Sequence, residues 1–227
     1  MVESEGSTVT THAETGLSKE RLVAEAIRMA DRDGVDQVSM RRLATALGAG
    51  AMSLYHYVAN REELIDAMID VVFSEIDLPT GDDWQTAMRH RAESTRAVLA
   101  RHPWATVLME SRTMPGPANL RHREAVTACL RTAGFSVVMA THANWLLDSY
   151  VYGYALQVAS LPFDGPEQLA DAAEDVFLPQ LPPEEFPYLN ESATELVAAG
   201  YDPADEFAFG LELVLGALEP LRTTEAT

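Results

Sequence analysis

Cysteine is almost missing from this chain: Cys129 is the single one among 227 residues. One thiol cannot close an internal disulfide, so the fold must hold by packing, and a reducing compartment suits it. Long apolar runs are missing too. No stretch approaches the roughly 20 residues that span a bilayer, and the expectation is a cytoplasmic protein with no membrane partner. Basic residues are scarce, 16 Lys and Arg against 35 Asp and Glu, for a formal net charge of −19. That balance weakens the electrostatic term on which non-specific nucleic-acid binding depends, so composition alone points away from DNA. Motifs of catalysis are also lacking: there is no Gly-x-Ser-x-Gly elbow, phosphate loop or dinucleotide fingerprint. The six histidines show no metal-ligand spacing. Cys129 has no basic group placed to activate it, and packing is the better reading of that thiol. The carboxylates of 164–191 alternate with prolines and read as solvated. The expectation is therefore no catalytic residue, no metal and no cofactor.

What is present is a strongly helical pattern, with 47% hydrophobic residues to build a core. Residues 1–16 are rich in Ser, Thr and Glu, without a basic start or an apolar stretch, and read as a disordered tail instead of a signal peptide. Ser18 can cap a helix carrying Leu22, Val23, Ala26, Ile27 and Ala30, with Gly34 at its end. Asn60 followed by Glu63 is a capping-box pattern that opens a longer helix. A seam follows at 78–83. Asp82 with Gln85 then starts a helix that His102-Pro103 breaks. Further helices are expected near 104–112, 118–132 and 136–161. A proline-rich acidic excursion follows, with one helix around 168–176, and Asp202-Pro203 opens the last helix. No segment has the alternation of a strand, and no repeat is visible. The fold class is all-α, with nine or ten helices.

Function is carried by residues 38–58, VSMRRLATALGAGAMSLYHYV. A short helix that crosses another steeply needs a small residue, here Ala44, and a tight turn, here 48–50. Leu43, Leu47 and Leu54 can close the core beneath. The second helix, 51–57, then exposes Gly50, Ala51, Met52, Ser53, Tyr55, His56 and Tyr57. Small residues there permit close approach to a major groove, and hydroxyls and imidazole can hydrogen-bond base edges. The segment 17–65 has seven bases and seven acids. It is neutral, so the acidity belongs to the rest of the chain.

Ser39-Met40-Arg41-Arg42-Leu43-Ala44, Leu47-Gly48, Met52-Ser53-Leu54-Tyr55 and Val58-Ala59-Asn60-Arg61-Glu62-Glu63-Leu64 come in an order that resembles the N-terminal domain of the tetracycline-repressor (TetR) family. The resemblance implies a homodimeric regulator that binds a palindromic double-stranded operator, usually as a repressor released by a small ligand. By position it implies that Arg41 contacts phosphate or a nearby base. It places residues 50–53 at base edges, Tyr55 and Tyr57 at phosphates or thymine methyls, and His56 at the groove. Arg61 would contact the DNA backbone. The domains that follow are 17–65 for DNA binding and 66–222 for ligand binding and dimerisation.

From Trp84 onward the resemblance is to the ligand-binding domain of the tetracycline repressors, carried by Asp83-Trp84, Gly134-Phe135-Ser136 and Gly153. It puts Arg91, Thr95, Glu110, Met114, Val126, Asn144, Trp145 and Asp148 at the drug pocket. Glu110 stands where a metal-holding histidine is found in those repressors, so a metal–tetracycline ligand is not implied. Residue chemistry alone adds that Trp104, Met109, Met114 and Trp145 are large adaptable groups near helix breaks, suited to a lipophilic molecule or to plain core packing. Asn144 and Asp148 share a helical face. Apolar stripes on the long helix (Leu147, Tyr150, Val151, Tyr154, Val158) and the last one (Phe207, Gly210, Leu211, Val214, Leu218, Leu221) suit a four-helix dimer interface or an internal core. Two alternatives stand beside the repressor: an activator or protein-partnered regulator of the same fold, and a helical ligand-binding protein that does not use the motif.

Overall fold

The computed structural model describes residues 17–109, 111–112, 115–163 and 166–222; the expected tail 1–16 lies outside them. Every regular element among these residues is helical, which bears out the all-α reading: eleven α-helices with short 3₁₀ turns and one π-helical turn. The chain divides after Met68 into two compact units.

The first unit contains α1 (Lys19–Asp33), α2 (Met40–Leu47), α3 (Ala51–Leu54) and the first half of α4 (Arg61–Ser74). Side-chain caps begin three of these helices. Ser18 accepts the Arg21 N–H at 3.2 Å, Ser39 accepts the Arg42 N–H at 3.3 Å, and Asn60 accepts the Glu63 N–H at 2.8 Å. Glu63 closes its box on the Ala59 N–H, at 2.7 Å, instead of that of Asn60. Leu22, Ala26, Leu43, Leu54, Leu64 and Met68 are buried together as the core of this unit.

The second unit is built on α5 (Trp84–Arg101), α6 (Ala105–Met109), α7 (Pro117–Thr132), α8 (Val137–Val158) and α11 (Pro203–Leu218). Asp83, one residue later than expected, caps α5 by accepting the Thr86 N–H at 2.9 Å. Helix α8 is apolar over most of its 22 residues because it packs on α5, α7 and α11 at once. Asp70 Oδ1 caps α7, accepting the N–H groups of Ala118 and Asn119 at 2.8 and 3.1 Å. Between α8 and α11 lie α9 (Pro166–Ala172) and α10 (Pro187–Ala199). They share a small core of Phe163, Leu169 and Ala172, backed by Leu161, Phe177, Val197 and Tyr201. Helix α10 escapes a periodicity search because it has no fully buried residue; without a buried stripe the sequence carries little 3.6-residue signal.

The stripes on α8 and α11 turn out to face each other within one chain. Tyr150 stacks on Phe207 with ring centroids 5.5 Å apart and donates its hydroxyl to the Phe207 carbonyl at 2.8 Å. Tyr154 donates to the Pro203 carbonyl. Leu147, Val151, Leu211 and Leu218 are buried within the one chain, whereas Val158 and Val214 are half-buried and Leu221 is exposed.

Gly210 makes that close approach possible. A Cβ there would stand 2.8 Å from Cζ of Tyr150, a ring already tied to the Phe207 carbonyl. Gly210→Val should therefore destabilise the chain by about 1–3 kcal/mol through overpacking. The loss should shrink in a Tyr150→Ala background, where the ring is gone, as a double-mutant cycle by urea unfolding would measure.

Candidate functional site

In the first unit the path from caps to surface is short. Gly48 ends α2 in the left-handed region at φ 63°, a conformation that costs other residues more, and its N–H bonds back to Ala44 and Thr45. The chain then turns directly into α3, which packs on α2. The α-helix ends at Leu54 instead of running to Tyr57, and Tyr55, His56 and Tyr57 form a tightened turn. Only Leu54 of α3 is buried. The outer face therefore carries Ala51, Met52 (78% exposed), Tyr55 and His56, with Gly50 at the entry.

Arg41 projects from the first turn of α2 with no side-chain partner among the described residues. Its neighbour Arg42 differs, held by Asp33 at 2.7 Å and by Gln37. Ser53 donates its hydroxyl to the Gly50 carbonyl at 2.6 Å. Two expected contact residues have internal tasks. Tyr57 donates to the Leu17 carbonyl at 2.7 Å, pinning the start of α1. Arg61 donates to the carbonyls of Val38 and Val35, at 3.0 and 2.9 Å, and so braces the segment that enters α2.

A second constellation lies inside the second unit. Arg91 of α5 is 1% exposed. Its Nη2 meets Asp148 Oδ1 of α8 at 2.5 Å, and its Nε donates to His122 Nε2 of α7 at 3.2 Å. Arginine only donates, so His122 Nε2 must be the unprotonated nitrogen. Burial, followed by the charges of Arg91 and Arg123, pushes the His122 pKa down from its ordinary 6.5 to about 3. The imidazole is therefore neutral at physiological pH. Asn144, one turn before Asp148 on α8, is half-buried. Trp104 is half-buried, its ring centroid 6.2 Å from that of His102. Trp145 corrects the expected pocket: it is 70% exposed, on the outer side of α8. Glu110 and Met114 lie outside the described residues.

Residues 22–68 match the family model described as bacterial regulatory proteins, tetR family, and residues 78–221 match the tetracyclin repressor-like C-terminal domain. The chain belongs to the TetR family. Among its relatives is the HTH-type transcriptional repressor DrrR1 of Streptomyces coeruleorubidus, 32% identical over 216 residues, covering 90% of this chain and 78% of the relative. An HTH-type transcriptional regulator of Saccharopolyspora erythraea is 38% identical over 139 residues; the match spans 60% of this chain and 59% of that protein. The solved structure of the TetR family protein ActR of Streptomyces coelicolor, in complex with actinorhodin, is 29% identical. That likeness has a TM-score of 0.72 and covers 89% of this chain and 97% of the other.

These relatives are transcriptional regulators, so the chain is read as a regulator and not as an enzyme. For a TetR-family protein the notable member of the buried cluster is His122, which sequence reasoning passed over. A signal was available: His122 lies one turn from Ala118 and one from Val126, both buried on the same face of α7, and a polar residue on an apolar stripe asks for a partner.

His122 sets a pH dependence. Its folded pKa lies below the unfolded one, so below about 6.5 the unfolded chain takes up a proton that the folded chain refuses until about 3. Stability is therefore complete above 6.5 and falls as pH drops through the window below it. Between pH 6.5 and 4.5 the unfolding free energy should fall by roughly 2–3 kcal/mol from this group. In His122→Gln, which keeps an acceptor for Arg91, urea titrations should show that slope reduced.

Proposed function

We propose that the protein is a cytoplasmic, homodimeric repressor that binds a palindromic operator and is released by a small lipophilic molecule. Residues 17–65 form its DNA-binding domain and 66–222 its ligand and dimer domain in this reading. The observation that carries it is the free outer face of α3 and the turn after it, where Met52, Tyr55 and His56 are exposed, beside the cation of Arg41, unpaired among the described residues. Exposed apolar and aromatic groups on so short a helix serve no core. Gly50, Ala51 and Ser53 are the small groups that let it approach base edges, and Tyr57 holds the frame. Support for repression comes from the DrrR1 relative, and support for a small effector from ActR, solved with actinorhodin. Arg91, Asn144 and Asp148 are the described residues assigned to the effector site, with Trp104, Glu110 and Met114 retained from the sequence reading and Trp145 moved out of it.

Palindromic binding requires two copies, with half-site centres about 34–36 Å apart or a simple multiple of that. The residues with different roles should separate in one experiment on the upstream DNA of its own gene. Arg41→Ala should weaken operator and random DNA alike and lower the salt slope by about one. His56→Ala should cost about 1–3 kcal/mol on the operator and leave random DNA nearly unchanged. Arg61→Ala should lower thermal stability as well, because it strips two backbone carbonyls of their donor. No preference of the wild type for any site in a random-sequence selection would refute the reading.

The dimer surface is assigned to the outer rows of α8 and α11. Trp145 and Leu156 on α8, and Phe209 and Leu213 on α11, are exposed. Gly153 and Gly216 beside them have open space where a Cβ would stand, which favours close helix packing. Phe209→Glu places a charge in that interface and should convert a dimer to a species of 24.8 kDa in light scattering while the helical circular dichroism persists. A wild-type mass of one chain at micromolar concentration would refute the assignment.

A further inference from the structure

Among the described residues three buried polar side-chain atoms have no hydrogen-bond partner, all in the second unit: Arg91 Nη1, Arg96 Nε and Asn144 Oδ1. Each unmet group is costly in the interior, and few are left in a folded protein without a reason. Arg96 has a substitute interaction, its guanidinium lying 5.2 Å from the ring centre of Phe207. The other two belong together. Arg91 reaches Asp148 through Nη2, and Asn144 is four residues before Asp148 on α8, about 6 Å along the axis. One atom is a donor and the other an acceptor. What would meet both must carry an acceptor and a donor.

Charge narrows the class further. The Arg91 cation is answered by the Asp148 carboxylate at 2.5 Å, and Arg123, next to His122 in the chain, donates to Asn119 Oδ1 at 2.8 Å. His122 is held neutral by burial. Among the described residues an anionic ligand group would be a second negative charge for a cation already paired, and an ammonium would face the Arg91 N–H.

We infer that the effector is a neutral lipophilic molecule whose carbonyl oxygen accepts from Arg91 Nη1 and whose hydroxyl donates to Asn144 Oδ1. This rests on the ligand-responsive reading above and adds to it the polar pattern of the ligand. Before binding, the two orphan atoms stand in the interior at a free-energy cost, and the ligand removes that cost.

Three isosteric probes test it on the full chain: 2-(hydroxymethyl)anthraquinone, 2-methylanthraquinone and anthraquinone-2-carboxylate. They share one flat carbonyl-bearing body and differ only in a neutral donor, no donor or an anion. By calorimetry the hydroxymethyl compound should bind at least tenfold more tightly than either of the others. Asn144→Leu should abolish that preference and leave or raise the melting temperature of the free protein, since it deletes an unmet acceptor. Arg91→Lys keeps a charge for Asp148, loses the fork, and should weaken all three probes. Equal binding of the hydroxymethyl and methyl compounds, tighter binding of the carboxylate, or binding of none would overturn the inference. So would a preference that survives Asn144→Leu. A lower melting temperature of Asn144→Leu without probe preference would show a structural water in place of a ligand, and would overturn it as well. Operator binding, measured separately without probe, tells this failure from that of the regulator reading: a chain that binds operator but shows no hydroxymethyl preference loses only the ligand class.

Discussion

A guanidinium shut away from water has to be answered by a charge, and in this protein that demand organises the larger unit. Arg91 comes from α5, its carboxylate from α8 and its imidazole partner from α7. Taking either Arg91 or Asp148 away leaves a buried charge alone, a loss of about 3–5 kcal/mol in comparable cases. A row of leucines would fill the same space at no such risk, because buried ion pairs add little net stability over well-packed apolar groups. The polar set therefore makes better sense as a means of fixing one helix arrangement than as a source of stability.

The ion pair also dictates what surrounds it. Helix α7 must start at a defined point for His122 to reach Arg91, and Asp70, capping the N–H groups of Ala118 and Asn119, sets that point. The Phe73 ring stands 5.8 Å from the His122 ring and helps to keep the imidazole dry. Dryness lowers the His122 pKa, and a neutral imidazole can accept from Arg91. Cap, ring contact and hydrogen bond thus support one another, and none of them needs a metal or a thiol.

The smaller unit depends on backbone satisfaction instead. With α3 only four residues long, its exposed surface is held less by its own helical bonds than by its flanks. Arg61 ties down the carbonyls before α2, Tyr57 ties down the residue before α1, and Leu54 anchors α3 in the core. This arrangement leaves Tyr57 and Arg61, beside the exposed face, occupied with backbone carbonyls. It leaves Arg41, Met52, Tyr55 and His56 as the groups whose outer atoms are uncommitted.

Local signals were well preserved in the chain. Ser18, Ser39 and Asn60 with Glu63 mark helix starts because capping is a bond between residues two to four apart. Ala44 and the glycines after Leu47 mark the helix-turn-helix because a tight turn leaves few residue choices. The sequence by itself therefore determined the helical class, the helix-turn-helix segment and the family. It could not determine direction. Trp145 is one residue from Asn144, and a step of 100° places it outside while Asn144 turns inward. The stripes of α8 and α11 read in sequence as a dimer interface ahead of an internal core, and the stacking of Tyr150 on Phe207 sets part of both rows against each other within one chain. Helix α10 left no trace because nothing in it is fully buried. The joining of Arg91, His122 and Asp148 spans 57 residues. Only the tertiary structure could decide it, because whether a charged side chain finds its partner depends on which helix faces pack, and packing is set by the whole core instead of by neighbours in the chain.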